Sequence, residues 1–148
     1  MTASRLAAPV GNRLDRSQRL SFQFNGRIMS GHPGDTLASA LLANGVQLVG
    51  RSFKLHRPRG IFSCGVEEPT GLVDLGVGAT RTPNMRATLV ELYDGLVAAS
   101  VNCWPSVGFD LGAINNTMAA LLPAVFTTRH SSGPTGICSN LRFAAWRA

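Results

Sequence analysis

Leu20 to Ser30 reads LSFQFNGRIMS, an alternation of apolar and polar residues interrupted once, by Asn25-Gly26. Apolar side chains at every second position share one face of a strand, and Asn-Gly tolerates the two left-handed residues of a type I′ turn. The segment therefore predicts strand, two-residue turn, strand. That loop length sets Phe24 opposite Arg27 and Phe22 opposite Met29, so that Leu20, Phe22 and Met29 share the buried face. Directly after it, Gly34-Asp35-Thr36 opens LASALLANG. Asp35 or Thr36 caps the first turn, Leu37, Ala40 and Leu41 fall on one helical stripe, and Asn44-Gly45 supplies the stop. A short helix packed on a hairpin follows.

Working outward, Leu72 to Val77, Ala87 to Leu92 and Leu96 to Val101 are apolar and β-branched and predict strands, the last two joined by a turn at Tyr93-Asp94-Gly95. Strand, turn, strand, helix, long loop and further strands make an α+β chain in the order of a β-grasp domain of the ferredoxin kind. A length of 148 residues with 45% hydrophobic and 15% charged content suits one globular core. The expected division is an N-terminal extension over 1–18, the ferredoxin-like β-grasp domain over 19–103, a connecting segment over 104–126 and a tail over 127–148 that shows neither helical nor strand period. Leu20, Phe22, Met29, Leu37, Leu41, Leu89 and Leu96 are the expected core. Both ends are expected to be irregular.

The formal charge of +6 comes mostly from arginine. Such an excess raises nucleic acid as a partner, but the few aromatic residues do not interleave with the basic ones as a stacking platform requires, and nucleic-acid binding is set aside. No stretch approaches the roughly 20 apolar residues of a membrane span, and Pro9, Gly11 and Arg13 break any signal-peptide core. Three cysteines at unrelated spacings build no disulfide framework. A cytoplasmic protein is expected.

The long loop carries the chemistry that can be weighed. Arg51 to Gly60 reads RSFKLHRPRG and Ile61 to Val73 reads IFSCGVEEPTGLV. A plant-type 2Fe–2S site needs thiolates at C-x4-C-x2-C. Here that spacing falls on Ser63, Glu68 and Gly71, none of which supplies a thiolate, and Cys64 is one residue out of register. No cluster, and no metal, is expected in this chain. Arg51, Lys54, His56, Arg57 and Arg59 could hold an anionic group through guanidinium forks, or form a solvated loop or a docking surface. His32 beside Pro33 reads as a turn residue. Glu67 and Glu68, adjacent on a loop, point apart and offer no paired-carboxylate mechanism. Cys64, near Arg59, reads as a buried or half-buried structural thiol rather than a reactive one. Gly76 to Arg81 begins like a dinucleotide fingerprint but ends in arginine with no helix behind it. No catalytic residue is expected.

GDTLASALLANGVQLVGRSFKLHRPRGI, EEPTGLV, PNMRATLVELYDGLVAAS and NCWPSVGFDLGAIN resemble, in this order, the amino-terminal region of the alpha subunit of heterotetrameric sarcosine oxidases. The likeness runs from about Gly11 to Phe126. It implies membership of a complex with beta, gamma and delta subunits that oxidatively demethylates sarcosine to glycine with oxygen and tetrahydrofolate, releasing hydrogen peroxide. FAD, FMN, NAD and zinc are implied for the whole assembly and none for this chain. Because likeness and pattern both stop near Phe126, the residues beyond it read as the product of a frameshift, and the isolated chain is expected to be inactive. The alternative is a free-standing 2Fe–2S ferredoxin-like domain for electron transfer or interaction, the former of which would need the missing thiolates.

Overall fold

The computed structural model of the chain describes residues 5–7, 10 and 13–114. The part of the connecting segment from 115 on and the 127–148 tail lie outside the described residues. Strands β1 (Leu20–Phe24) and β2 (Arg27–Gly31) form the expected hairpin, with Phe22 opposite Met29 and Phe24 opposite Arg27. Asn25 and Gly26 have φ of 52° and 79°, the left-handed pair of a type I′ turn. Asn25 does more than turn the chain. Its side chain donates to Ser100 Oγ at 2.7 Å and accepts from Ser100 N at 2.9 Å, pinning the turn to a distant strand. Phe22 and Phe24 are buried, with Leu20 and Met29 half-buried against the core.

Helix α1 (Leu37–Ala43) buries Leu37, Ala38, Ala40 and Leu41. Of the two cap candidates Thr36 takes the role: Ser39 N donates to Thr36 Oγ1 at 3.3 Å and Thr36 N donates to Ser39 Oγ at 3.0 Å, a capping box. Asp35 is buried beside it and accepts from His32 N, the Ser39 hydroxyl and both terminal nitrogens of Arg5, at 3.0 and 2.7 Å. The N-terminal extension is thus tied to the domain by a bidentate ion pair at Arg5.

Short strands β3 (Gly50–Arg51) and β4 (Pro58–Arg59) pair with each other at the neck of the basic loop. Strands β5 (Leu72–Leu75), β6 (Thr82–Arg86) and β7 (Val97–Ser100) complete a five-stranded mixed sheet in the order β2-β1-β7-β5-β6. The first and last strands lie side by side and parallel, Gln23 against Val97 and Phe24 against Ala98. The expected α+β, β-grasp architecture is the one observed.

Ala87 to Leu92, expected as a strand, is not one. Strand β6 lies just before it, on residues whose side chains are largely exposed. It is an edge strand, which is why Pro83 is tolerated there and why Asn84 takes φ of 55° where the register with β5 shifts. The apolar run that follows covers the helix instead. Carbonyls of Ala87 and Val90 accept from the otherwise unpartnered Ala38 and Leu37 N–H groups of its first turn, at 2.9 and 2.8 Å. Ala87, Val90 and Leu92 are buried, but Leu89 is 49% exposed and leaves the expected core.

Candidate functional site

The loop between β4 and β5 is organised around one carboxylate. Glu68 is 1% exposed. Its Oε2 accepts the amides of Phe62 and Ser63, at 2.8 and 2.5 Å, and its Oε1 accepts those of Thr70 and Gly71, both at 2.8 Å. The Thr70 hydroxyl lies between Oε1 at 2.9 Å and the Gly60 carbonyl at 2.7 Å, so its single proton serves either end of the loop. From outside, the Thr88 hydroxyl donates to the Gly65 carbonyl at 2.7 Å. Among the described residues no cation pairs with Glu68. Burial pushes this carboxyl up, yet the amides of Ser63, Thr70 and Gly71 and the Thr70 hydroxyl outweigh it and bring the pKa down from 4.5 to about 2.

The ligand spacing read from the sequence therefore converges in space. Ser63 Oγ is 3.4 Å from Glu68 Oε2, and a Cβ on Gly71 would stand 3.1 Å from Glu68 Cγ. The donor chemistry does not fit a 2Fe–2S cluster: one hydroxyl, one carboxylate already held by four amides, and a position with no side chain. Among the described residues no group of three or more His, Cys, Asp or Glu side chains could hold a metal ion. Cys64 is exposed, contrary to the buried or half-buried placement expected of it. The reason is geometric. The loop interior is filled from within by Glu68, and Cys64 sits where the chain enters the 3-10 turn Gly65–Glu67. Glu67 is exposed while Glu68 is buried, so the adjacent carboxylates do point apart.

The five basic-loop residues divide in two. Arg51 turns inward: its guanidinium donates to the carbonyls of Val107, His56 and Gly108 at 2.9, 2.9 and 3.3 Å, with Asp110 Oδ2 3.8 Å from Nε. His56 donates from Nδ1 to Asp110 Oδ2 at 2.7 Å, and its ring lies so close to Gly112 that a Cβ there would meet it at 2.3 Å. The other Asp110 oxygen accepts from Trp104 N and Gly112 N. Arg51 and His56 are thus engaged in fastening the segment from 104 to 112. Lys54, Arg57 and Arg59 are exposed. Sequence reasoning missed Asp110, 54 positions from His56 with no local motif to join them. It named Glu68 as a missing ligand and as half of an adjacent carboxylate pair, not as the loop's acceptor, although the run Glu-Pro-Thr-Gly holds two of the four amides that grip it. Gly76 to Arg81 forms no phosphate cradle: a 3-10 turn, Gly78–Thr80, leads into β6, and Arg81 is bonded to Asp74.

Residues 17–103 match the model of the 2Fe-2S iron-sulfur cluster binding domain. The chain belongs to that family. At the C-x4-C-x2-C spacing of a plant-type 2Fe–2S site this chain has Ser63, Glu68 and Gly71. It is 57% identical over 118 residues to the sarcosine oxidase alpha subunit of Rhizobium meliloti, covering 80% of this chain and 12% of that protein. Against the same subunit of Corynebacterium sp. strain U-96 it is 44% identical, over 62% of this chain and 10% of the relative. Strain P-1 gives 52% identity over 53% of this chain and 10% of the relative. The chain spans about a tenth of the length of the curated relatives it matches. Among solved structures, L-proline dehydrogenase from P. horikoshii aligns over 62% of this chain and 17% of its own at 23% identity, with a TM-score of 0.47. No helix among the described residues is long and apolar enough to cross a membrane.

Proposed function

We propose that this chain serves as the amino-terminal domain of a sarcosine oxidase alpha subunit, in a complex with beta, gamma and delta subunits that demethylates sarcosine, and that its own role is assembly rather than electron transfer. The observation that carries the reading is the loop from Gly60 to Gly71. It keeps the closed shape of a cluster loop, but its centre holds a carboxylate, and the likeness to alpha subunits runs through that same loop. Chemistry with FAD, FMN, NAD and zinc then belongs to the rest of the assembly, and this chain contributes no cofactor ligand. The outer face of the loop suits docking. Phe62 is 85% and Val66 66% exposed, and the exposed Lys54, Arg57 and Arg59 precede them in sequence.

Two measurements test this. Reconstitution with iron and sulfide under reducing conditions should leave the chain without the visible absorbance of a 2Fe–2S centre; a stoichiometric band overturns the cluster-free reading. Co-expression with an alpha subunit lacking its own amino-terminal domain, and with the other subunits, should return a complex that contains this chain and makes peroxide from sarcosine. The double variant Arg57→Ala/Arg59→Ala should weaken that association. Failure of the unaltered chain to associate would rule the assembly role out.

A further inference from the structure

We propose that the loop from Gly60 to Gly71 is an anion cage, and that in this chain Glu68 fills it from within, its carboxylate standing where the sulfur atoms of a cluster would otherwise stand. The lining consists almost wholly of donors. Four amides, two from each arm of the loop, point at one centre and are joined there by the hydroxyls of Ser63 and Thr70. Convergent N–H groups are satisfied only by an acceptor, and best by a charged one. A cluster held by four thiolates is such an acceptor, its sulfurs taking hydrogen bonds from the surrounding backbone. With the thiolates gone, those amides, three part-buried and that of Gly71 buried, would be left without a partner, at a cost of the kind that native proteins avoid. Glu68 occupies a ligand position in the C-x4-C-x2-C register, so its side chain starts from the wall of the cage and reaches the centre. Gly71, another of those positions, leaves the space the carboxylate needs, since a side chain there would press on Glu68 Cγ. No guanidinium or ammonium group contributes among the described residues. Selection of the occupant thus rests on backbone dipoles, and a compact monoanion of carboxylate shape matches them.

The test is amide hydrogen exchange by NMR on the full chain, comparing the unaltered protein with Glu68→Gln and Glu68→Ala. Exchange at Phe62, Ser63, Thr70 and Gly71 should accelerate roughly tenfold or more in Glu68→Ala, and less in Glu68→Gln, while the β1 and β2 amides stay protected. Sodium formate should restore protection at those four amides in Glu68→Ala, and formamide at equal concentration should not. Unchanged exchange in both variants, or protection by formamide equal to that by formate, would overturn the cage. Should the variants fail to fold, the unaltered chain still decides: the carboxyl carbon shift of Glu68 should titrate below the ordinary 4.5, and a midpoint at or above 4.5 overturns it. Each readout belongs to the loop itself, so none depends on whether the chain serves a sarcosine oxidase.

Discussion

Glu68 turns a local bonding pattern into a pH dependence whose sign can be worked out. Its folded pKa is depressed, from 4.5 to about 2, so the folded state binds its proton less readily than the unfolded state. The stabilisation is therefore complete above about pH 4.5 and is lost as the pH falls toward 2. Allowing for solvent screening at the loop rim, its size is about 2 kcal/mol. Urea midpoints measured from pH 6 downward should fall through that window, and Glu68→Gln should flatten the fall. A second carboxylate, Asp35, is buried and faces a real cation. Burial raises its pKa, but bonds from Arg5, Ser39 and His32 overcome this and hold it below the usual range. Arg5→Ala leaves the buried charge with only its neutral partners and should cost about 1–3 kcal/mol in thermal unfolding. At this scale the sequence was partly legible. Phe22, Leu37, Leu41 and Leu96 are buried as their spacing predicts, whereas Arg5 and Asp110 act through partners dozens of residues away, which no local pattern records.

At the scale of elements, the hairpin and helix were readable because each is fixed by neighbours in sequence: a two-residue turn sets the register, and a Thr-x-x-Ser box sets the helix start. The strand expected over Ala87 to Leu92 failed for the opposite reason. Ala87, Val90 and Leu92 are buried and the carbonyls of Ala87 and Val90 serve α1, so a mostly buried run was mistaken for sheet pairing. The true strand, β6, is polar, contains Pro83 and sits at the edge, where the usual preferences carry little weight. Two substitutions separate these cases. Phe22→Ala, in the hairpin core, should cost about 3–5 kcal/mol. Leu89→Ala, on an outward-facing side chain, should stay within about 0.5 kcal/mol. A large loss at Leu89 would instead return that side chain to the core expected from the sequence.

Across the whole molecule, the parallel contact of β1 with β7 joins the two ends of the domain, and the segment that leaves β7 is folded back onto the basic loop rather than released from it. Asp110 is the fastening point. It receives His56 Nδ1 and the amides of Trp104 and Gly112, while Arg51 beside it holds the carbonyls of Val107 and Gly108. A buried carboxylate with three donors orders a loop that otherwise buries little apolar surface, since Trp104, Phe109 and Leu111 are all exposed. Asp110→Ala removes the acceptor from all three donors at once and should free the segment without touching the sheet. Limited chymotrypsin digestion should then cut after Phe109 at least about tenfold faster than in the unaltered chain, because cleavage follows the population of the locally opened form. The 60–71 loop, built on Glu68, should keep its amide protection in the same variant. If instead both loops loosen together, the domain opens as one unit, and the basic loop is held by the sheet rather than by Asp110.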